Sequence, residues 1–179
     1  MVIKKLEVFK KVKKEKRLLE EIETLIPGFR GYKKREIRRE SDKLLRDYIA
    51  RKLKEAKNYL KDCILTVAES DKIEFYNVLS RISAALDLAT SKIEHADYGY
   101  SGFFDAIKIK SDDLERLLEY DSSLVKVADE IIALAKTVRE LATGCKFEEL
   151  KVKLDDLKAV IDRFNELVNQ RENIIIGLR

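Results

Sequence analysis

The densest run of side chains able to do chemistry reads Pro27-Gly28-Phe29-Arg30-Gly31-Tyr32-Lys33-Lys34-Arg35-Glu36-Ile37-Arg38-Arg39-Glu40. Five cations, Lys33, Lys34, Arg35, Arg38 and Arg39, crowd what the apolar spacing makes the first turns of a helix. The helix dipole disfavours positive charge there, and five such residues cost about 1–2 kcal/mol together unless something offsets them. The offset can be internal, through Glu36, Glu40, Asp42 and the carboxylates of neighbouring helices. It can instead be external, through a phosphate or carboxylate held by the cations and free backbone N–H groups.

A second segment, Tyr98-Gly99-Tyr100-Ser101-Gly102-Phe103-Phe104-Asp105-Ala106-Ile107, is rich in rings. With Phe29 and Tyr32 it holds six of the chain's fourteen aromatic residues. Aromatic rings beside cations can stack bases next to phosphates. The plainer reading is that Phe29, Tyr98, Phe103 and Phe104 plug one end of a helical body. The candidate anion- or partner-binding set is therefore Lys33, Lys34, Arg35, Arg38 and Arg39, with Tyr32, Tyr100, Phe103 and Phe104 shaping it.

Other chemistry is thin. His95 is the only histidine, and it sits near Glu94 and Asp97 at the end of a helical stretch, where a partly solvated structural role is expected. Ser101 has no recognisable general base nearby except His95. No GxxxxGK[ST] loop is present. No ExxH pair supports a carboxylate-bridged di-iron site, and one histidine with two cysteines cannot complete an all-protein zinc site. No metal or cofactor is expected. A small-molecule enzyme would need a dry pocket beside residues 27–39 and 97–110, with Asp97 or Asp105 perturbed in it.

The elements that position these segments follow from punctuation and period. The chain has 179 residues, 39% charged, with one Pro and six Gly. Every Gly and Pro falls in four clusters: 27–31, 99–102, 144 and 177. Between them apolar residues recur at spacings of three and four, a helical period. A first helix is expected over about 2–25. The others carry Ile37–Val67, Phe75–Ala96, Leu114–Ala142 and Phe147–Ile175. No segment alternates with a period of two. Ser70 or Asp71 should cap the third helix, and Gly144 stands where a C-cap glycine belongs.

Linkers of about three residues around Ser70 and Gly144 permit only antiparallel hairpins. The expected fold is all-α: an up-down antiparallel bundle of four long helices (27–179) with a basic amphipathic N-terminal helix (1–26). Cys63 and Cys145 then share one end, where a disulfide is conceivable and two free thiols are the simpler expectation. The Pro27–Gly31 turn and the Asp97–Lys110 loop share the other end.

Charge is unevenly spread. Residues 1–60 hold 20 Lys/Arg against 10 Asp/Glu, and residues 61–179 hold 17 against 23. So polarised a chain points its first third at something anionic. Within it, Lys4, Lys5, Lys10, Lys11, Lys13, Lys14, Lys16 and Arg17 surround Val2, Leu6 and Phe9. Such a helix can pack on its own or a sister chain, lie on an anionic membrane, or meet nucleic acid. No apolar run approaches a membrane span and no signal peptide is evident, so a cytoplasmic protein, peripheral to membrane at most, is expected. Many Lys, Arg and Glu with a single Gln (Gln170) is the pattern of hyperthermophile proteins.

At residues 28–48, GFRGYKKREIRRESDKLLRDY, and 97–109, DYGYSGFFDAIKI, the chain resembles a family of all-helical prokaryotic proteins that carry this pair of signatures. The resemblance implies no activity, so no functional residue carries over from it. The expected function is non-enzymatic: a scaffold or adaptor engaging an acidic protein face or membrane surface. Nucleic-acid binding, and an enzyme site at the 27–39/97–110 end, are the alternatives.

Overall fold

A computed structural model describes residues 2–96 and 109–176, with side chains described except at 2–11, 35 and 36. Among the described residues the chain is all-helical, with no strand. The helices are α1 (Val2–Leu25), α2 (Arg35–Glu69), α3 (Ile73–His95), α4 (Ser111–Thr143) and α5 (Phe147–Ile176). α2 packs on α3 and α4, α5 packs on α4 and α3, and α1 lies chiefly on α4.

The buried positions explain the packing. In α4 they run Leu117, Asp121, Leu124, Ala128, Ile131, Ala135, Val138 and Ala142; in α5 they run Leu150, Leu154, Leu157, Ile161, Phe164, Val168, Arg171 and Ile175. Both follow an alternating four-three step, which holds a single seam toward the neighbours. α2 keeps the same step through Asp42, Arg46, Ile49, Leu53, Ala56, Leu60, Cys63 and Val67. α3 keeps it through Phe75, Leu79, Ile82, Leu86, Ala89 and Ile93.

The first short turn differs from the capping expectation, whereas in the second Gly144 is the C-cap of α4. The Ser70 hydroxyl donates to the Thr66 carbonyl (2.8 Å) at the end of α2, and α3 begins after Lys72 with no side-chain cap. Instead each preceding helix closes by a Schellman arrangement. The N–H of Lys72 donates to Val67 O (3.1 Å), and that of Lys146 to Leu141 O (2.9 Å). The left-handed residues are Asp71 (φ 55°) and Cys145 (φ 54°), while Gly144 keeps φ −80°. The position that most wants glycine is therefore occupied by cysteine.

Both cysteines are free. Cys63 is buried, its sulfur 4.0 Å from the Val138 carbonyl, and Cys145 is exposed in the turn. Seven residues of α4 separate those levels, about 10 Å at the helical rise. Disulfides need Cα atoms within about 7 Å. That separation is why the two thiols stay apart.

The Pro27–Gly31 turn also departs from expectation, since it does not sit at the foot of α2. Gly28 (φ 91°) faces Leu44, and Gly31 (φ 71°) comes so close to Leu19 that an added Cβ would stand 3.0 Å from its Cδ1. Lys33 reaches Glu15 at 3.0 Å. After α1 the chain thus doubles back along α1 before entering α2.

Candidate functional site

This returning strap closes a charged cluster inside the protein. Asp42 and Arg46 occupy core positions of α2, Asp121 a core position of α4, and Arg171 a core position of α5; all are at most 4% exposed. Arg171 is the hub. Its Nε donates to Asp121 Oδ1 and its Nη2 to Asp42 Oδ1, each at 2.6 Å. The second oxygen of Asp42 accepts from Arg46 Nε (2.8 Å), and the second oxygen of Asp121 accepts from the Tyr32 hydroxyl (2.6 Å). Arg46 Nη1 reaches the Glu94 carbonyl (3.4 Å) in the last turn of α3, where a cation suits the dipole. Both carboxylates are therefore fully engaged, which is the condition for burying them.

The strap is fixed from both sides. Arg38 Nε donates to the Tyr32 carbonyl (2.7 Å), and the Arg30 N–H donates to Ser41 Oγ (3.3 Å). Phe29 and Tyr32 are fully buried and meet edge to face, ring centroids 5.6 Å apart. Burial pushes the Tyr32 hydroxyl well above its ordinary range, with the Asp121 charge adding to the effect. Burial likewise raises Asp121, against the opposing pull of Arg171 and the Tyr32 hydrogen bond.

The residues singled out in the sequence fall into separate groups. Tyr32 and Arg38 lie inside the protein, engaged with the cluster and the strap, so they do not form part of an open binding face. Lys34, just before α2, and Arg39 on α2 are exposed, and Lys33 is exposed while paired with Glu15 on α1. The backbone of Arg35 opens α2; its side chain, and Tyr100, Phe103, Phe104, Asp97, Asp105 and Ser101, lie outside the described residues. His95 is exposed. Within the cationic run, Lys33 is thus paired with the Glu15 carboxylate of α1, and Arg38 is held by a hydrogen bond to the strap carbonyl.

The cluster's hub was missed. Among the buried seam positions given above for α2 and α5, Asp42, Arg46 and Arg171 are the charged ones, and that placement was the available signal. A cleft of about 180 Å³ lies between α3 and α5, lined by the apolar Val78, Ile82, Ala85 and Ile161 and the charged Arg81, Asp155, Lys158 and Asp162. Among the described residues no group of His, Cys, Asp or Glu is placed to hold a metal ion, and no helix is long and apolar enough to cross a membrane.

Outside the cluster, charge lies on the surface of α1. Its inner edge is tied to α4 through Lys14–Glu119, Lys126–Glu21 (2.7 Å) and the Ser122 hydroxyl on Glu21 (3.2 Å). Lys126 holds the Glu21 carboxyl below its ordinary range. On the remaining surface Lys13, Lys16 and Arg17 are exposed, with Lys16 only loosely paired to Glu20 (3.6 Å). No protein-family model, curated protein or solved structure matches the chain.

Proposed function

We propose that this protein is a non-enzymatic helical scaffold or adaptor, built to engage an anionic partner through its basic first third. The supporting frame is an up-down antiparallel bundle of four long helices (27–179) with the basic helix (1–26) laid alongside. Interhelical pairs support those directions. Lys57–Asp87 with Arg46–Glu94, and Arg163–Glu130 with Arg171–Asp121, pair rising with falling positions. Lys52–Asp129 and Arg139–Asp62 pair rising with rising ones.

The observation that carries the functional reading is the division of cations. Arg38, Arg46 and Arg171 are consumed within the fold, whereas Lys13, Lys16 and Arg17 on α1 and Lys34 just before α2 are exposed. An acidic protein face or an anionic membrane surface fits such a face. The test is binding of the full chain to immobilised polyglutamate across a salt series. Retention that weakens steeply as salt rises is expected; no retention in low salt overturns the reading.

A further inference from the structure

Taken whole, α1 is the least amphipathic of the five helices, although both its halves contain apolar residues. The reason is a change of face. At about 100° of rotation per residue, the buried positions Glu15, Leu18 and Ile22, and Ile26 just beyond the helix, gather on one side. Positions Val2, Leu6 and Phe9 gather as well, but about 160° around the helix from that side. Val8 falls on the packing side, but the Val2–Leu6–Phe9 stripe does not continue the stripe with which α1 packs.

Continuing along the second side, the helix presents Lys13, Lys16, Arg17 and Glu20, all exposed. Lys5 and Lys10 flank the apolar trio in sequence. The Lys14–Glu119 and Glu21–Lys126 pairs share one register between α1 and α4. That register brings position 6 level with Ser111, the first residue of α4. Positions 2–5 consequently run past the start of the helix on which α1 rests.

Building on the reading that the basic first third engages an anionic partner, we propose that the partner is an anionic lipid bilayer. The Val2–Leu6–Phe9 side of α1 is the part that beds at its surface. Apolar residues on two helical turns, bordered by lysine and arginine, suit the boundary between headgroups and acyl chains, with the cations meeting lipid phosphates and carboxylates. A polynucleotide backbone offers Val, Leu and Phe nothing to contact. A stable protein interface needs roughly 800 Å² from each partner, more than three side chains on two turns supply.

The test uses the full chain with phosphatidylcholine vesicles, with and without phosphatidylserine. Phe9→Trp places the only tryptophan of the protein in the proposed contact. Its emission is expected to shift to the blue with phosphatidylserine vesicles and to stay unchanged with phosphatidylcholine alone. The double variant L6Q/F9Q should lose about tenfold in vesicle partitioning, while its melting temperature and its retention on polyglutamate stay as in the wild type. Undiminished vesicle binding by L6Q/F9Q overturns the proposal. So does a lowered melting temperature, which would place these positions in the packed interior, or a dimer dissociated by the substitutions, which would make this face a joint between copies. Wild-type retention on polyglutamate without vesicle binding removes the lipid proposal alone; absence of both removes the anionic-partner reading as well.

Discussion

Arg171→Met removes the guanidinium that joins Asp42 to Asp121 (2.6 Å to each) and keeps much of the apolar stem. Asp42 retains Arg46, so the burden falls on Asp121, whose other described partner is the Tyr32 hydroxyl. Stripping one partner from a buried pair costs about 3–5 kcal/mol. Because Arg171 serves two carboxylates, the upper part of that range is expected, about 4–5 kcal/mol at neutral pH. For a chain of this length that corresponds to a drop of about 10–15 °C in melting temperature. The pH dependence has a definite sign. Burial already holds the Asp121 carboxyl above its ordinary range, and losing Arg171 raises it further. A carboxyl with a raised folded-state pKa binds more protons folded than unfolded. Its stabilisation is present below the unfolded value and is lost as pH rises through the folded one. The loss in R171M should therefore shrink as pH falls from neutral toward about 5. Urea unfolding followed by far-UV circular dichroism at both pH values reads it directly. The triple variant Y32F/D121L/R171M, which replaces most of the cluster with apolar groups, should recover to within about 2 kcal/mol of the wild type. A loss below about 1 kcal/mol in R171M, or one that does not change with pH, would refute the view that the cluster is a desolvated ionic joint.

Cys145→Gly should raise stability by about 0.5–1 kcal/mol in chemical denaturation, since Cys145 holds the left-handed position of a Schellman turn; an unchanged or lowered midpoint contradicts that geometry. Gly31→Ala should cost about 1–2 kcal/mol, because φ is 71° and the new Cβ would meet Leu19, and a neutral result in the same assay would count against the strap as described. Ellman's reagent should titrate one thiol, Cys145, in the native protein and two in denaturant. Cys63 is buried with its pKa pushed up to about 12, so two fast-reacting native thiols would contradict its burial.

The elements were legible because glycine, proline and a seam of apolar steps marked them: Phe147 to Ile175 could be read as one helix without any tertiary information. The turn chemistry was not. Ser70 and Asp71 look like a helix start, but the C-terminal closure of α2 competes for the same few residues and wins. The cationic run at 33–39 was expected to need an offset, internal or external. Its internal part comes from Glu15 and a strap carbonyl, both brought there by a reversal of the chain. Asp121 stood visibly in the apolar seam of α4, yet its partner Arg171 lies 50 residues away. Only the packing of α4 against α5 brings the two together. Tyr32 was assigned to shaping an anion- or partner-binding set because its neighbours are cations; it is buried beside Phe29 and hydrogen-bonded to Asp121 instead.

The basic face of α1 is tested most directly by two charge-matched triple variants of the full chain. K13E/K16E/R17E reverses exposed cations of α1, and K136E/K151E/K158E reverses the same number of exposed cations on α4 and α5. Both change net charge equally, so bulk electrostatics cannot separate them. Affinity for polyglutamate at low salt should fall by about tenfold or more in the first and stay near the wild-type value in the second. Equal affinities for the two would contradict a partner-binding face on the N-terminal third.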